Sequence, residues 1–296
     1  MADRVVHFLL HVPKCAGTTV EAHFERHLGD AFLVAPRWES IWRNVIGNRY
    51  PGLVQEVDLD GLRAVSGHSL SVSLKRLLPG AEIRESVLLR DPVGYHLSLY
   101  NYRWSWHRQG HAPEPPAFAR WYAVQRRNPI SRFLLNRYFE QGVPALYRLS
   151  SAGRLEFLEA RLAEFWFVGD YRRAAEMISG ISKELGIDDR VEDRNVTQEK
   201  AVTEATLGAD WCARILRDNA LDAALHARFS DRGWYATAAL AIEPDGSPGA
   251  SSPREPAHPA GGEARGAQPG PVLSGADQLR QVWGDIASGL AKKLVR

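Results

Sequence analysis

Apolar and polar positions follow one recurring order along this chain: a short apolar run, an abrupt polar or small-residue step, then apolar residues three and four apart. Residues 5–12, Val-Val-His-Phe-Leu-Leu-His-Val, are rich in apolar and β-branched side chains. The run is too short to span a membrane, so it predicts a strand buried on both faces of a parallel sheet. Pro13 ends the ladder, and Ala16 and Gly17 leave space for a ligand beside the backbone. Thr18 and Thr19 then open a helix whose apolar side is Val20, Phe24 and Leu28. Residues 63–67 predict a second strand that delivers His68, followed by a helix with Leu70, Leu74 and Leu77 on one side. Val87, Leu88 and Leu89 belong to a third strand ending at Arg90, and Pro92 suits the first turn of the next helix. A helix over 154–164 precedes a fourth strand over 165–169, which ends at Asp170 and leads into a helix over 171–185 closed by Gly186. One further helix is expected over 209–229, through Trp211, Ile215, Leu221 and Leu225.

Strands alternating with helices predict an α/β architecture, a central, mainly parallel sheet flanked by helices in three layers. Ligands of such sheets bind beyond the carboxyl ends of the strands, and Lys14, His68, Arg90 and Asp170 each follow a strand. Over Pro13, Lys14, Cys15, Ala16, Gly17, Thr18 and Thr19, backbone N–H groups at a helix start and one ammonium are expected to point at one place, which suits a phosphate. The loop is P-loop-like without being G-x-x-x-x-G-K-[ST], because Lys14 precedes Gly17 and no glycine lies four to six residues upstream of it. Arg90 and Ser98, eight residues apart, converge on one phosphate if the helix packs back over the strand end.

Composition narrows the classes. With 296 residues and 45% hydrophobic content the chain can bury a full core, and its net charge of +2, with no nucleic-acid motif, argues against a DNA or RNA partner. Its two cysteines, Cys15 and Cys212, have no metal-ligand spacing. The first strand begins by Val5, leaving no room for a signal peptide, and no 18-residue apolar run exists, so a cytoplasmic, reducing location without a transmembrane segment is expected. His23 and His27 read as a solvated helix face rather than a metal pair, and His68 alone reads as structural or catalytic. Tyr100, Tyr102, Trp104 and Trp106 serve either as core or as a stacking platform. Between Arg103 and Glu140 seven arginines face only two acids, a solvated basic surface or a site for an anionic acceptor. From Glu243 to Gly275 seven prolines and seven glycines predict a disordered linker, so the expected organisation is a domain 1–242, a linker 243–275 and an amphipathic helix 276–296. That helix docks on the body, pairs with another copy to give an oligomer, or touches a membrane surface.

Pro-Lys-Cys-Ala-Gly-Thr-Thr after a strand resembles the 5′-phosphosulfate loop of sulfotransferases that use 3′-phosphoadenosine 5′-phosphosulfate (PAPS), in particular the family that includes the carbohydrate 2-O-sulfotransferases. Leu-Arg-Asp-Pro, with a serine eight residues after the arginine, resembles the 3′-phosphate site of the same family. Between those motifs the 2-O-sulfotransferases carry a histidine, as this chain carries His68. The family often has an acidic residue after a Val-Gly strand end and an Asn-x-[Ser/Thr] loop that closes over the cofactor. Asp170 and Arg194-Asn195-Val196-Thr197 are compatible with these, and the latter reads equally as a surface loop. The resemblance spans about residues 5–230 and departs at Gly94 and Tyr95, where many relatives carry an acidic residue and an arginine. It implies sulfuryl transfer from PAPS to an acceptor hydroxyl on a carbohydrate or other small molecule, and no metal, since the loop lacks a Lys-[Ser/Thr] pair to hold magnesium. Lys14 and the loop amides are implied on the phosphosulfate, Arg90 and Ser98 on the 3′-phosphate, Arg194 and Thr197 over the cofactor, and His68 as the base. A P-loop-like small-molecule kinase and a non-catalytic nucleotide-binding protein are the alternative readings.

Overall fold

A computed structural model describes residues 4–35, 58–140, 148–191 and 200–234, all within one compact unit, Met1–Asp245. The expectations for Arg194, Thr197, the linker 243–275 and the helix 276–296 lie outside the described residues. Six strands form one sheet in the order β2 (Phe32–Val34), β3 (Ala64–Gly67), β1 (Arg4–Leu10), β4 (Ala81–Leu89), β5 (Phe167–Asp170) and β6 (Gly233–Trp234). All pairings are parallel except that of β6 with β5. Strand β1 sits between β3 and β4, with Leu10 opposite both Gly67 and Val87. It is covered on both faces, which is why Val6, Phe8 and Leu9 are all buried and its sequence does not alternate.

Helices α1 (Gly17–Leu28), α2 (Pro92–Arg108), α3 (Phe118–Ala123), α4 (Pro129–Phe133), α5 (Ser151–Ala163), α6 (Ala174–Leu185), α7 (Glu204–Leu207), α8 (Ala209–Asp218) and α9 (Ala220–Phe229) flank or cap this sheet. The main core runs from Phe8, Phe24 and Leu89 to Phe167, Ile178 and Phe229. A second apolar cluster joins Leu97 and Tyr100 of α2 to Trp121 and Tyr122 of α3 and Ile215 of α8. No helix among the described residues is long and apolar enough to cross a membrane.

Several expected elements are corrected. The segment after His68 is a 3₁₀ turn over Val72–Leu77 rather than an α-helix, and its serines are occupied with side-chain bonds, Ser71 to Ser73 at 2.9 Å and Ser73 to Glu140 at 2.6 Å. The helix expected over 209–229 is two, because the buried side chain of Asn219 breaks it: its amide donates to Ile215 O and Tyr122 Oη while its oxygen accepts from Asn128 N. Pro129 occupies the first turn of α4. His23 is not on a solvated face, for its Nε2 lies 2.9 Å from Ser182 Oγ and ties α1 to α6. Strands β2 and β6 lie where no strand is expected from the sequence.

Buried histidines make this packing sensitive to acid. Burial lowers the pKa of His96, in the heart of α2, to about 4, and that of His7, within β1, to about 3. Both bind protons more tightly when unfolded, so the stability they confer is present above pH ~6.5 and is lost as pH falls toward their folded values. Asp222, raised to about 6 by burial, acts in the opposite direction and offsets part of this loss. At pH 5 the His96 contribution alone amounts to about 2 kcal/mol. Thermal melts at pH 7 and pH 5 should show a drop for the wild type and a smaller drop for His96→Gln. Equal drops would remove His96 from the account.

Candidate functional site

The loop after β1 takes its shape from two non-glycine residues in the left-handed region, Lys14 (φ 65) and Ala16 (φ 62). Such conformations cost on the order of 1–3 kcal/mol each, so neighbouring contacts must hold them. Two do. Cys15 N donates to Val12 O at 3.2 Å, and Arg90 Nη1, from the end of β4, donates to Lys14 O at 2.9 Å. Helix α1 starts at Gly17, one residue earlier than Thr18, and Ala16 at its cap has no side chain able to accept a bond. Thr19 N and Val20 N turn back to Ala16 O. Among the described residues nothing accepts from the N–H groups of Gly17 and Thr18, which leaves them for a ligand.

The expected loop residues divide by exposure. Pro13, Lys14, Ala16 and Thr19 are half-buried, and Thr18 is exposed. Cys15 instead turns its thiol into the core, where burial raises its pKa, so only its backbone can meet a ligand. Gly17 does not hold space for a ligand as expected. A Cβ there would lie 1.9 Å from His11 Cδ2, so the glycine makes room for the His11 ring.

Across the loop stands one face of α2. Gly94, Ser98, Tyr102 and Trp106 occupy successive turns of it. A Cβ on Gly94 would come within 3.1 Å of Arg90 Nε, and Lys14 Nζ lies 4.0 Å from the centroid of the Tyr102 ring. Arg90 and Lys14 therefore border this face one turn to either side of Ser98, which is half-buried. Tyr102 and Trp106 are exposed, with ring centroids 5.5 Å apart, whereas Tyr100 of the same helix is core. Arg90 also packs its guanidinium on Tyr171, 3.9 Å from the ring centroid.

Neither Lys14 nor Arg90 has an ion-pair partner among the described residues, and Arg90 Nε is buried without an acceptor. Burial, and then the Arg90 charge, holds the Lys14 pKa below the ordinary lysine value. Two cations bordering one helix face, with free donors and no ion-pair partner among the described residues, make an arrangement that suits an anion. Asp170, at the end of the neighbouring strand, is occupied: it accepts from Arg172 N and Nε and lies 2.7 Å from His226 Nε2.

His68 reaches the same end of the sheet because Gly67 takes φ 127, with the backbone of Ala35 so close that a Cβ would sit 2.9 Å from its carbonyl oxygen. His68 is exposed as a residue while one side of its ring is covered by His11, and its Nδ1 lies 2.8 Å from His11 O. A carbonyl cannot donate, so Nδ1 carries the proton and Nε2 keeps its lone pair. Burial of part of the ring and the adjacent His11 lower its pKa, so the neutral form dominates at neutral pH. A general base requires this state.

Sequence reasoning gave Glu21 no role. Its Oε1 lies 2.7 Å from His11 Nδ1 and accepts from Ser66 Oγ at 3.0 Å, while the His11 and His68 ring centroids are 3.9 Å apart. Burial raises the Glu21 pKa, but contacts with His11 and Ser66 outweigh it and keep the carboxyl below its ordinary value. The spacing of Glu21 four residues after Gly17 was the available signal, since it places both on the α1 face beside His11.

No family model, curated protein or solved structure matches this chain.

Gly17→Ala must push His11 off its contact with Glu21. A loss of about 1–3 kcal/mol in chemical denaturation is expected, and unchanged stability would show that the ring has another place to go.

Proposed function

We propose that this chain is a PAPS-dependent sulfotransferase built on a P-loop-like three-layer fold, acting on an acceptor hydroxyl of a carbohydrate or other small molecule. The observation that carries this reading is the convergence of Lys14, Arg90 and the Ser98 face of α2 at the ends of adjacent strands, with unsatisfied donors and no carboxylate partner among the described residues. The position of β1 between β3 and β4 supports the P-loop-like part, since it centres the loop on the sheet. The free thiols of Cys15 and Cys212 fit a reducing, cytoplasmic setting.

PAPS, when bound, supplies the activated sulfuryl group. In this reading Lys14 and the Gly17 and Thr18 amides hold the phosphosulfate end and place positive charge where negative charge grows during transfer. Arg90 and Ser98 hold the 3′-phosphate, and the Arg90 bond to Lys14 O keeps the two grips in register. Tyr102 and Trp106 offer ring faces for a base or an acceptor. His68 Nε2 takes the hydroxyl proton, while its Nδ1–H stays on His11 O and fixes the ring.

Calorimetry with adenosine 3′,5′-bisphosphate and with ATP tests the donor. The bisphosphate should bind more tightly, and Arg90→Ala should weaken it roughly tenfold to a hundredfold. Equal or tighter ATP binding would favour a kinase.

His68→Ala should reduce kcat about a hundredfold to ten-thousandfold while bisphosphate affinity and melting temperature stay near wild type. Since its pKa is lowered, the acid limb of the wild-type kcat/KM profile should fall below the ordinary histidine value of about 6.5. Near-normal turnover by His68→Ala, or unaltered dependence on pH in that variant, would remove it as the base.

A further inference from the structure

Part of the arginine excess gathers in a cleft whose lining shares no residue with the Lys14 and Arg90 site. Arg126, Arg127 and Asn128 of the turn between α3 and α4, Arg132 and Leu135 beyond it, Arg154 of α5 and Leu221 of α9 line an opening of about 310 Å³. That volume is at the lower end for small-molecule sites, which begin near roughly 300 Å³. Among the described residues the lining has four guanidiniums and no carboxylate.

Two of the arginines, Arg127 and Arg154, are held in place by contacts. Arg127 stacks on Tyr122, 4.4 Å from the ring centroid, and its Nη2 lies 3.1 Å from Asp218, which leaves Nη1 buried and without an acceptor among the described residues. Asp218 is shared, with Arg214 Nε at 3.8 Å. Arg154 is oriented by a 3.1 Å bond from its Nε to Leu149 O. Arg126, Arg132 and Arg154 make no ion pair among the described residues. The nearby carboxylate of Asp222 is turned inward, accepting from Ile130 N, Ser131 N and Ser131 Oγ, so it neutralises none of them. Asn128 is likewise fixed, its Oδ1 accepting from Leu221 N and Asp222 N. Like charges held around one concavity repel, and a multiply charged oxyanion relieves that repulsion while taking up the free forks.

We propose that this cleft is a second oxyanion site, for the phosphate or sulfate group of a free ion or of an ester, separate from the Lys14 and Arg90 site. It stands independently of the sulfotransferase reading. The test is calorimetry with inorganic pyrophosphate on the whole chain. Lys14→Ala/Arg90→Ala should keep one pyrophosphate site, and Arg126→Gln/Arg132→Gln should weaken that site at least tenfold with an unchanged far-ultraviolet spectrum and melting curve. Arg154→Gln, on a different helix, should weaken it as well. Loss of all binding in Lys14→Ala/Arg90→Ala, or undiminished cleft binding in both arginine variants, would overturn the proposal. Glucose 6-phosphate binding more tightly than inorganic phosphate would assign the cleft to an ester, and the reverse order to the free ion.

Discussion

The hydrogen bond from Arg90 Nη1 to the carbonyl of Lys14 ties the end of β4 to the loop after β1. A charged donor to a backbone acceptor is worth about 1.5–3 kcal/mol, comparable with the cost of one left-handed non-glycine residue. The same guanidinium that helps the loop keep its shape retains a buried, unused Nε–H. Structure and candidate function therefore rest on one side chain, and the register of β1 against β4, Leu10 opposite Val87, allows it to reach.

Charge distribution follows from where the carboxylates went. Asp91 caps α2 through Gly94 N, Asp170 is bound to Arg172 and His226, and Asp222 caps α4. Glu21 is held by His11 and Ser66. With these acids committed to backbone and neighbouring side chains, Lys14 and Arg90 at one place, and Arg126, Arg132 and Arg154 at another, remain without counter-ions among the described residues. A chain with a net charge of only +2 thus presents two concentrated positive sites.

Helix α2 serves two environments at once. Its Leu97 and Tyr100 pack with α3 and α8, and its Ser98, Tyr102 and Trp106 face the loop and solvent. Its aromatics therefore fall on both sides, which blurs any single apolar stripe. Buried His96 joins this packing to the Asn219 network that breaks the long helix in two.

The alternation of strands with helices, the loop at Lys14, and Arg90 and His68 at strand ends were all legible in the sequence, because continuous apolar runs, proline and glycine act over a few residues. Ser98 was legible too, since helical geometry alone puts it two turns beyond Arg90. Strand order was not. That β1 lies between β3 and β4, so that His68 meets His11 and Arg90 meets Lys14, depends on pairings between residues tens of positions apart. The burial of Cys15 and the space that Gly17 cedes to His11 were decided the same way, since packing, not residue type, determines which side of a loop is wet. Glu21 and Asn219 looked like ordinary helix residues until distant partners surrounded them. Local steric and hydrophobic rules determined the elements, and long-range packing decided which of their polar groups were consumed and which were left for chemistry.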